Sequence, residues 1–394
     1  MKKTVRDIDV GGKKCLVRCD FNVPMQDGEI HDDTRIKAAM PTIQYLKDHN
    51  ARIILMAHMG RPKGEPKPEF TLAPVAARLA ELLGCNVKFS QSDNVVDDKV
   101  KADVDAMKDG DIILLENTRY RAEETKNDPA FTKELASLGE IFVNDAFGTA
   151  HRAHCSTAGL ADFMPAVSGF LIEKEIKYLD EAVNDPRRPF VAILGGAKVA
   201  DKIPKIKNLL PKVDSLLIGG GMAYTFLKGE GYEIGTSLLD KESVGLTGEL
   251  LKEAEKLGKE IILPVDAVVA KEFDNDSERR TVKVTEMPED MMGMDIGPDT
   301  AHMFGKCVMN AGTVVWNGPM GVFEMSNFRQ GTKAVAEAMA ESGAVTIIGG
   351  GDSASAAKDF GLADRMTHIS TGGGASLEYL EGKTLPGVAC LEDK

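Results

Sequence analysis

The chain alternates between short apolar runs and longer segments in which apolar residues recur at helical spacing. Nine of the apolar runs are nearly continuous, at 15–17, 52–56, 112–115, 141–143, 191–194, 215–218, 261–263, 314–316 and 345–348. Uninterrupted runs of this length are typical of strands that are buried on both faces of a parallel sheet. We therefore predict an α/β fold with parallel sheets, because helical segments separate the strands along the whole chain.

One of the intervening helices has recognisable ends. Leu72, Val75 and Leu79 share one helical face, Thr71 is a candidate N-cap, and Gly84 is a stop signal. The pattern predicts an amphipathic helix between Thr71 and Gly84.

The length of 394 residues favours two domains, because single hydrophobic cores rarely grow beyond about 250–300 residues. A polar, proline-rich segment at 184–189 is a plausible boundary, and an amphipathic helix precedes it. We predict an N-terminal domain over 1–170, a linking helix over 171–185 and a C-terminal domain over 186–374.

Composition excludes several classes of function. The formal net charge of −13 argues against general nucleic-acid binding, which requires broad basic surface. No apolar run approaches the ~20 residues that a membrane helix requires, and the N-terminus lacks the apolar segment of a secretory signal. The six cysteines are scattered, which favours free thiols in a reducing compartment. We expect a cytoplasmic protein without nucleic-acid or membrane partners.

Charged side chains follow the strands of the first half, where ligands of parallel α/β sheets bind. The candidates there are Arg18, Asp20, Asn22, Arg35, His58, Arg61, Arg119, His151, Arg152 and His154. A guanidinium group can donate two parallel hydrogen bonds to the oxygens of one phosphate or carboxylate, and it remains charged at physiological pH. The alternative for any single arginine is a solvated loop residue that is paired with an acid, but their shared placement favours a small anionic ligand.

Glycine follows the strands of the second half. The segments are 195–198 (GGAK), 219–221 (GGG), 349–351 (GGG) and 372–374 (GGG), and Lys198 and Lys202 lie just after the first of them. Such loops let backbone amides approach phosphates, although each could instead serve only as a tight turn. Asp352 follows the third triplet and is a candidate ligand for Mg²⁺.

The common nucleotide-binding motifs are absent or weak. Around Gly382 and Lys383 the P-loop pattern fails, because Leu377 stands where its first glycine belongs. Gly349 and Gly351 begin a G-x-G-x-x-A match, which leaves an NAD-dependent dehydrogenase as an alternative. A non-catalytic scaffold is a second alternative.

Long segments of the chain resemble those of phosphoglycerate kinases, in family order from about residue 5 to the C-terminus. They include VRCDFNVPMQDG (17–28), AHMGRPKG (57–64), LLENTRY (114–120), VNDAFGTAHRAH (143–154), LGGAKVADKI (194–203), IGGGMAYTFLK (218–228), VVWNGPMGVFE (314–324), IIGGGDSASA (347–356) and STGGGASLEYLEGKTLPGV (370–388). Met59 and Thr118 depart from residues that the family often has, but neither change removes a charged group.

The resemblance implies a fold and a reaction. The fold is two doubly wound, Rossmann-like domains joined by a hinge helix, with the tail 375–394 packed on the N-terminal domain. The reaction is reversible phosphoryl transfer between 1,3-bisphosphoglycerate and ADP in glycolysis and gluconeogenesis, catalysed by a monomer that uses Mg²⁺ with ATP or ADP.

The resemblance also implies roles for individual residues. The acid would contact Asp20, Asn22, Arg35, His58, Arg61, Arg119 and Arg152, with Arg18 close by. The nucleotide would contact Gly196, Lys198, Lys202, Gly220, Gly293, Asn317, Glu324 (at the ribose), Gly350, Gly351, Asp352 (with the metal) and Ser353. Gly372, Gly373 and Gly374 would donate amides near the transferring group.

The chemistry requires cations rather than a general base. The attacking carboxylate is already ionised at neutral pH, because its pKa is about 3.5. It is nevertheless repelled by the triphosphate, by roughly 4 kcal/mol per charge pair at about 4 Å and an effective dielectric constant near 20. We hypothesise that Arg35 and Lys202 flank the transferring phosphoryl group with the amides of Gly373 and Gly374, after the hinge has closed.

Overall fold

The computed structural model describes residues 1–394, which form two compact units. Unit 1 comprises Met1–Lys177 and Thr384–Lys394, and unit 2 comprises Tyr178–Lys383. The first boundary falls inside a helix over Phe170–Asn184. Residues 375–383, which the family resemblance assigns to a returning tail, belong to unit 2, so the returning segment is shorter than predicted.

Unit 1 is built on a six-stranded parallel sheet with helices between the strands. Its strands are β1 (Lys14–Arg18), β2 (Met25–Gln26), β3 (Glu29–Ile30), β4 (Arg52–Met56), β5 (Lys88–Ser90), β6 (Ile112–Leu115), β7 (Ile141–Asn144) and β8 (Ala166–Ser168). Its helices are α1 (Thr34–Asp48), α2 (Ala73–Leu83), α3 (Asp98–Asp105), α4 (Pro129–Ala136) and the first part of α5 (Phe170–Asn184). The sheet order is β5-β6-β4-β1-β7-β8, and β2 and β3 form a separate antiparallel pair.

Unit 2 contains a second six-stranded parallel sheet. Its strands are β9 (Phe190–Leu194), β10 (Ser215–Ile218), β11 (Glu260–Ile262), β12 (Asp266–Ala270), β13 (Arg279–Lys283), β14 (Met292–Ile296), β15 (Thr313–Asn317), β16 (Val345–Ile348) and β17 (His368–Ile369). Its helices are α6 (Ile203–Leu209), α7 (Met222–Gly229), α8 (Val244–Leu257), α9 (Pro298–Met309), α10 (Gln330–Glu341), α11 (Gly351–Asp359) and α12 (Gly373–Leu380). A short helix over Pro386–Ala389 follows in unit 1.

The strand order of unit 2 indicates where a ligand would bind. The parallel sheet runs β11-β10-β9-β15-β16-β17, so the chain reverses its direction of growth between β9 and β15. This is the order of the Rossmann fold, in which ligands bind beyond the carboxyl ends of strands at that switch point. In unit 1 the corresponding reversal lies between β1 and β7.

The predicted α/β class is confirmed, and all nine predicted strands are present within one residue at each end. The prediction missed the short edge strands β5, β8 and β17 and, in the antiparallel sheet β13-β12-β14, strands β12 and β14. A short strand was expected at 282–284 (VKV), which overlaps β13. The edge strands are only two or three residues long and lack the continuous apolar run on which the prediction depended. Strand β12 was missed although it is largely buried and apolar over 267–270.

Helix α2 ends as predicted but begins differently. Gly84 adopts φ of 61° at the C-terminus, as a left-handed cap requires. The predicted N-cap, Thr71, is wrong because Leu72 occupies that position. The Thr71 hydroxyl instead donates to Glu116 at 2.8 Å, while its oxygen accepts from the Ala73 N–H at 3.3 Å.

Each parallel sheet has its own apolar core. In unit 1 the fully buried Val17, Ile53 and Leu55 pack in a cluster with helices α1 and α2, and in unit 2 Trp316 and Phe304 lie in a comparable cluster. These cores hold the strand ends in place for the loops that follow. No helix is long and apolar enough to cross a membrane.

Asp145 anchors the start of α5 within unit 1. Its buried Oδ1 accepts hydrogen bonds from the backbone N–H groups of Leu171 at 2.8 Å and Ile172 at 3.4 Å. The Phe170 N–H donates to the Thr42 hydroxyl oxygen at 2.9 Å. Burial raises the pKa of Asp145 to about 7, so this carboxyl retains its proton well above the pH at which an exposed aspartate ionises.

We expect the stability difference between Asp145→Asn and the native chain to depend on pH. Between about pH 4 and 7 the unfolded chain releases the Asp145 proton while the folded chain keeps it. This single group therefore lowers the free energy of unfolding by up to ~1.4 kcal/mol per pH unit as pH rises. The asparagine variant lacks this dependence, so it should gain stability relative to the native chain from pH 5 to 7.

Urea unfolding followed by circular dichroism at several pH values measures this difference. Asp295 is also buried and its pKa is raised to about 7 by burial, so Asp295→Asn is a matched variant in unit 2. A difference between Asp145→Asn and the native chain that stays constant with pH would contradict the prediction.

Candidate active site

Unit 1 gathers its predicted cationic residues at the carboxyl edge of its sheet. Strand β1 leads to Asp20 and Asn22, β4 to His58 and Arg61, β6 to a 3-10 turn over Thr118–Tyr120 that carries Arg119, and β7 to the loop with Arg152. Arg35 lies in the first turn of α1. Because these strands are parallel and adjacent, their following loops meet on one side of the sheet.

Two hydrogen bonds fix the frame of this cluster. The Arg35 guanidinium donates to Asp20 Oδ2 at 2.7 Å, with Asp20 buried and Arg35 39% exposed. Asn22 Oδ1 accepts from the Gly60 N–H at 2.8 Å and so connects the loops that follow β1 and β4. Asp20 and Asn22 therefore orient the loops, and the exposed guanidinium remains accessible to a ligand.

Arg119 is a buried cation without a matching acid. It donates to the Gly60 carbonyl at 3.0 Å, but its Nε and Nη2 have no hydrogen-bond partner although the side chain is nearly buried. Burial, with further contributions from Arg18 and Arg152, lowers the pKa of Arg119 to about 10. An anion that accepted from the unpaired nitrogens would remove this repulsion, so the cluster is arranged for a negatively charged ligand.

The cluster faces a cavity of about 610 Å³. Its lining includes the predicted Arg61, Arg119, Arg152 and His154, and also Lys63, Arg121 and Lys126. The last three were not singled out from the sequence: Lys63 lies within the segment 57–64, but only His58 and Arg61 were selected there, and Arg121 and Lys126 follow the segment 114–120. Burial, followed by the charges of Arg119 and Arg18, lowers the pKa of His154 to about 4, so its imidazole is neutral at physiological pH.

Unit 2 brings its glycine loops together at the switch point between β9 and β15. The Gly195 N–H donates to the Asn317 carbonyl and the Gly196 N–H to the Pro319 carbonyl, both at 2.9 Å. Gly220 has φ of +66°, and a Cβ there would collide with the Gly196 nitrogen. The loops after β9, β10 and β15 therefore approach each other at backbone distance, which only glycine permits.

Lys202 is directed into this crevice just before helix α6. Its ammonium group donates to the Gly195 carbonyl and lies 3.5 Å from the Asn317 carbonyl oxygen. Burial, followed by repulsion from Lys205, lowers the pKa of Lys202 to about 8. A Cβ on Gly318 would stand 2.8 Å from Nζ, so Gly318 leaves the space that the ammonium group occupies.

Asn317 and Ser353 join the loops that follow β15 and β16. Asn317 Nδ2 donates to the Gly349 carbonyl at 2.7 Å, and the Gly318 N–H donates to Ser353 Oγ at 2.6 Å. Gly350 adopts φ of 99° and precedes helix α11, whose first residue is Gly351. Buried amide and hydroxyl groups thus hold the start of α11, where free N–H groups favour an anion.

The last glycine triplet begins helix α12. Gly372 occupies the N-cap, and Gly373 and Gly374 lie in the first turn. A Cβ on Gly373 would stand 2.9 Å from the Gly350 Cα, so this loop packs against the one before α11. The unit therefore forms one glycine-lined surface from Gly220 to Gly373.

Four predicted residues lie apart from this surface or at its rim. Lys198, Asp352 and Glu324 are exposed. Gly293 lies in β14 of the antiparallel sheet, packed against the Tyr224 hydroxyl, and its N–H donates to Ser237 Oγ at 2.9 Å. The N–H of Val322, close to Glu324 in sequence, donates to the Met294 carbonyl at 2.9 Å, which brings Glu324 near Gly293.

Two residues of this surface were not singled out from the sequence. Gly318 has φ of +97° and lies beside Lys202. The only feature of the sequence that pointed to it is its position directly after β15. Leu238 is 60% exposed, and a Cβ on Gly221 would stand 2.7 Å from Leu238 Cδ1. An exposed leucine against a glycine loop offers apolar surface to the planar base of a nucleotide, but nothing in its sequence context marks it.

The side chains that could coordinate a metal fit an ion that is bound mainly by the phosphates of a ligand. No group of three or more histidine, cysteine, aspartate or glutamate side chains could hold a metal ion. Asp352 is an exposed carboxylate in the first turn of α11. Mg²⁺ bound to polyphosphates often takes only one or two protein carboxylates, so Asp352 fits that arrangement.

The chain was compared with families of known proteins. The family model described as phosphoglycerate kinase matches residues 5–383. A phosphoglycerate kinase from Clostridium perfringens strain ATCC 13124 is 61% identical over 394 residues, which is 100% of this chain and 99% of that protein. One from Clostridium botulinum strain Hall is 59% identical over 394 residues, with 100% and 99% of the two chains covered.

Solved structures give the same result for the fold. The phosphoglycerate kinase of Coxiella burnetii superposes with a TM-score of 0.90 at 40% identity, covering 99% of this chain and 98% of that one. The enzyme of Pyrococcus horikoshii OT3 gives a TM-score of 0.85 at 34% identity, with 99% and 98% covered. The two-unit architecture is thus shared with solved structures over nearly the whole chain.

We predict that Gly220→Ala is far more damaging than Gly258→Ala. The two glycines have nearly equal φ, +66° and +65°, but a Cβ at Gly258 would meet nothing within 4 Å. Gly258→Ala should cost about 1 kcal/mol of stability through backbone strain alone. Gly220→Ala should cost a further ~1–3 kcal/mol because its methyl group collides with backbone.

The fluorescence of Trp316 reports this difference in urea, because it is the only tryptophan and lies in β15. Gly220→Ala should also weaken MgATP binding, which calorimetry measures, whereas Gly258→Ala should not. Equal losses of stability in the two variants would contradict the close approach of the loops.

Proposed function

The chain belongs to the phosphoglycerate kinase family, and from this we propose how its residues transfer a phosphoryl group between 1,3-bisphosphoglycerate and ADP. We assign the acid to the cationic cluster of unit 1 and the nucleotide to the glycine surface of unit 2. The observation that carries this assignment is the division of the two anion-binding chemistries between the units, guanidinium in one and backbone amide in the other.

The acid binds the cluster through its phosphate and its carboxylate. In this proposal Arg61, Arg119 and Arg152 bind the oxygens, and His58 donates a further hydrogen bond. The unpaired nitrogens of Arg119 support this role, because a dianionic ligand would satisfy them. Arg35, oriented by Asp20 and supported from the loop of Asn22, lies where the reacting end of the acid would be held.

The nucleotide binds the glycine surface through its phosphates and its ribose. Gly196, Gly220, Gly350 and Gly351 let the backbone come close to the phosphates, and Asn317 and Ser353 hold the loops in place. Lys198 adds an exposed positive charge at the rim. Glu324 would accept hydrogen bonds from the ribose hydroxyls near Gly293, and Leu238 would support the base.

Catalysis in this proposal is electrostatic. The carboxylate of 3-phosphoglycerate attacks the terminal phosphorus without a base, since it is already ionised. Lys202, released from its carbonyl contacts by the stronger attraction of phosphate, and Arg35 reduce the repulsion between the two anions. The N–H groups of Gly373 and Gly374, at the start of α12, donate to the transferring group.

Mg²⁺ bound by Asp352 and the nucleotide phosphates would neutralise part of the phosphate charge. Transfer also requires the two ligands to meet, and the hinge closure predicted from the sequence would accomplish this while excluding water from the acyl phosphate. We also propose a monomer in the cytoplasm. The six free thiols support a reducing compartment.

The dehydrogenase alternative is not favoured. The G-x-G-x-x-A match at Gly349–Ala354 does open helix α11, but it follows β16, the fifth strand of its parallel sheet in chain order. The dinucleotide fingerprint follows the first strand of its domain, where the pyrophosphate meets the helix N-terminus. The first strand here, β9, leads to GGAK instead.

The direct test of the function is ADP formation from MgATP with and without 3-phosphoglycerate, in an assay that removes 1,3-bisphosphoglycerate. We expect turnover that requires both the acid and the metal. Binding of NAD with thermal protection, together with absent turnover, would overturn the proposal in favour of the dehydrogenase. Folded protein that binds both ligands without turnover would favour the scaffold.

We further expect Lys202→Ala and Arg35→Ala to lower kcat by about 100-fold or more, with smaller changes in KM, because each group acts mainly on charge that develops during transfer. Lys207→Ala in α6 and Lys37→Ala in α1 are controls that remove an exposed lysine from the neighbourhood of each residue. Steady-state kinetics separates the two constants. Near-native kcat in both test variants would contradict the assigned roles.

A further inference from the structure

Arg18 lies within the cationic cluster, yet its side chain has no exposed surface. Its Nη1 donates to the Cys19 carbonyl at 2.7 Å, and its Nη2 lies 3.0 Å from Nδ1 of His58. Arg18 therefore cannot contact a ligand directly, and any effect on the reaction must pass through its neighbours.

The contact with His58 fixes the position of a proton. A guanidinium group carries five N–H donors and no acceptor, so it can only donate in a hydrogen bond. Nδ1 of His58 must then be the acceptor, and in the neutral ring the proton lies on Nε2. The hydrogen bond of the His58 ring is the one at Nδ1, and 4% of the surface of His58 remains exposed.

The surroundings of His58 also keep its ring neutral. Burial, followed by the charges of Arg18, Arg119, Arg35 and Arg152, lowers the pKa of His58 well below its usual value. A second proton on Nδ1 would moreover replace the hydrogen bond from Arg18 with a clash between two donors. The geometry and the charges thus favour the same protonation state.

A buried acid compensates the charge of Arg18. Glu124 is fully buried, and its two carboxylate oxygens accept from the backbone N–H of Ser156 at 3.2 Å and from the Ser156 hydroxyl. Burial lowers the pKa of Arg18 and raises the pKa of Glu124, and the attraction between the two charges opposes both shifts. Glu124 and Ser156 thereby let a fully buried guanidinium group remain a donor.

From this arrangement we propose that Arg18 is a positioning residue that fixes His58 as the Nε2–H tautomer, so that His58 offers the acidic substrate a neutral hydrogen-bond donor. The substrate part of this inference depends on the proposed function; the tautomer does not. A neutral donor binds a ligand oxygen without adding a further cation to the arginines, and its contribution does not change across the pH range in which an ordinary histidine titrates.

The tautomer is measured on the intact chain labelled with ¹⁵N-histidine. Long-range ¹H–¹⁵N correlation spectra distinguish Nε2–H, Nδ1–H and imidazolium rings, and His58→Gln identifies the signals of His58. We expect an Nε2–H ring that does not titrate from about pH 5.5 to 8.5. An Nδ1–H ring, or titration near the ordinary pKa of about 6.5, would overturn the proposal. Because this spectrum requires no turnover, it tests the tautomer of His58 independently of the kinase assay.

Two substitutions of Arg18 test its role as a donor to His58. Arg18→Lys keeps a cationic N–H donor on a side chain of similar length, whereas Arg18→Met removes both the donor and the charge. The methionine substitution is combined with Glu124→Gln, so that no unpaired buried acid remains to unfold the protein, and Glu124→Gln alone is its control. The lysine variant should retain the Nε2–H tautomer, and the methionine variant should show a mixture of tautomers.

The kinetic consequence is a difference between these two variants. KM for 3-phosphoglycerate should be about tenfold higher with methionine than with lysine, the amount expected for one well-oriented hydrogen bond, with a smaller change in kcat. The difference should vanish when His58→Gln is added to both, because Arg18 acts through His58. Equal KM values in the first pair, or a difference that persists without His58, would show that Arg18 is only a structural residue.

Discussion

Both candidate sites depend on one constraint, the alignment of the carboxyl ends of parallel strands at a single edge of each sheet. In unit 2 the reversal of strand order between β9 and β15 leaves a crevice into which loops from four strands converge. Helices α11 and α12 begin at this edge, and the N–H groups of their first turns have no partner within the helix and can bind anions. The fully buried strands supply the rigidity, so loops with many glycines can still hold defined positions.

The same constraint brings several arginine side chains together at a partly buried edge of the sheet in unit 1. Only some of these positive charges have an acidic partner. Glu124 compensates Arg18, and Asp20 compensates Arg35, but Arg119 keeps unpaired nitrogens. Full compensation would stabilise the unliganded protein and weaken its attraction for an anion. A cluster with unsatisfied guanidinium nitrogens on Arg18 and Arg119 gives up some stability, and a ligand that pairs with those of Arg119 would restore part of it on binding.

The sequence was sufficient for elements that local pattern determines and insufficient for those that depend on distant partners. Continuous apolar runs identified the nine central strands, and the family segments identified the arginine and glycine loops. In the antiparallel sheet β12 and β14 were missed, because their pairing joins segments that are distant in sequence, and Thr71 was misassigned because its hydroxyl binds Glu116, forty-five residues away in sequence. Likewise, Arg18 has the same residue type and a similar context to Arg35, and only its burial distinguishes a positioning role from a contact.

In the proposed function the two units bind phosphate in different ways, and the difference has a physical reason. A nucleotide that arrives with Mg²⁺ has part of its charge already neutralised, so backbone amides and one lysine would be enough to hold it. The small acid brings no metal, and its charge must be met by side chains that are always protonated. A lysine whose pKa is lowered to about 8 would be a poor choice for that task, yet it suits the role proposed for Lys202, in which carbonyl contacts are exchanged for phosphate. The placement of arginine in unit 1 and of lysine with glycine in unit 2 thus follows from what each ligand carries with it.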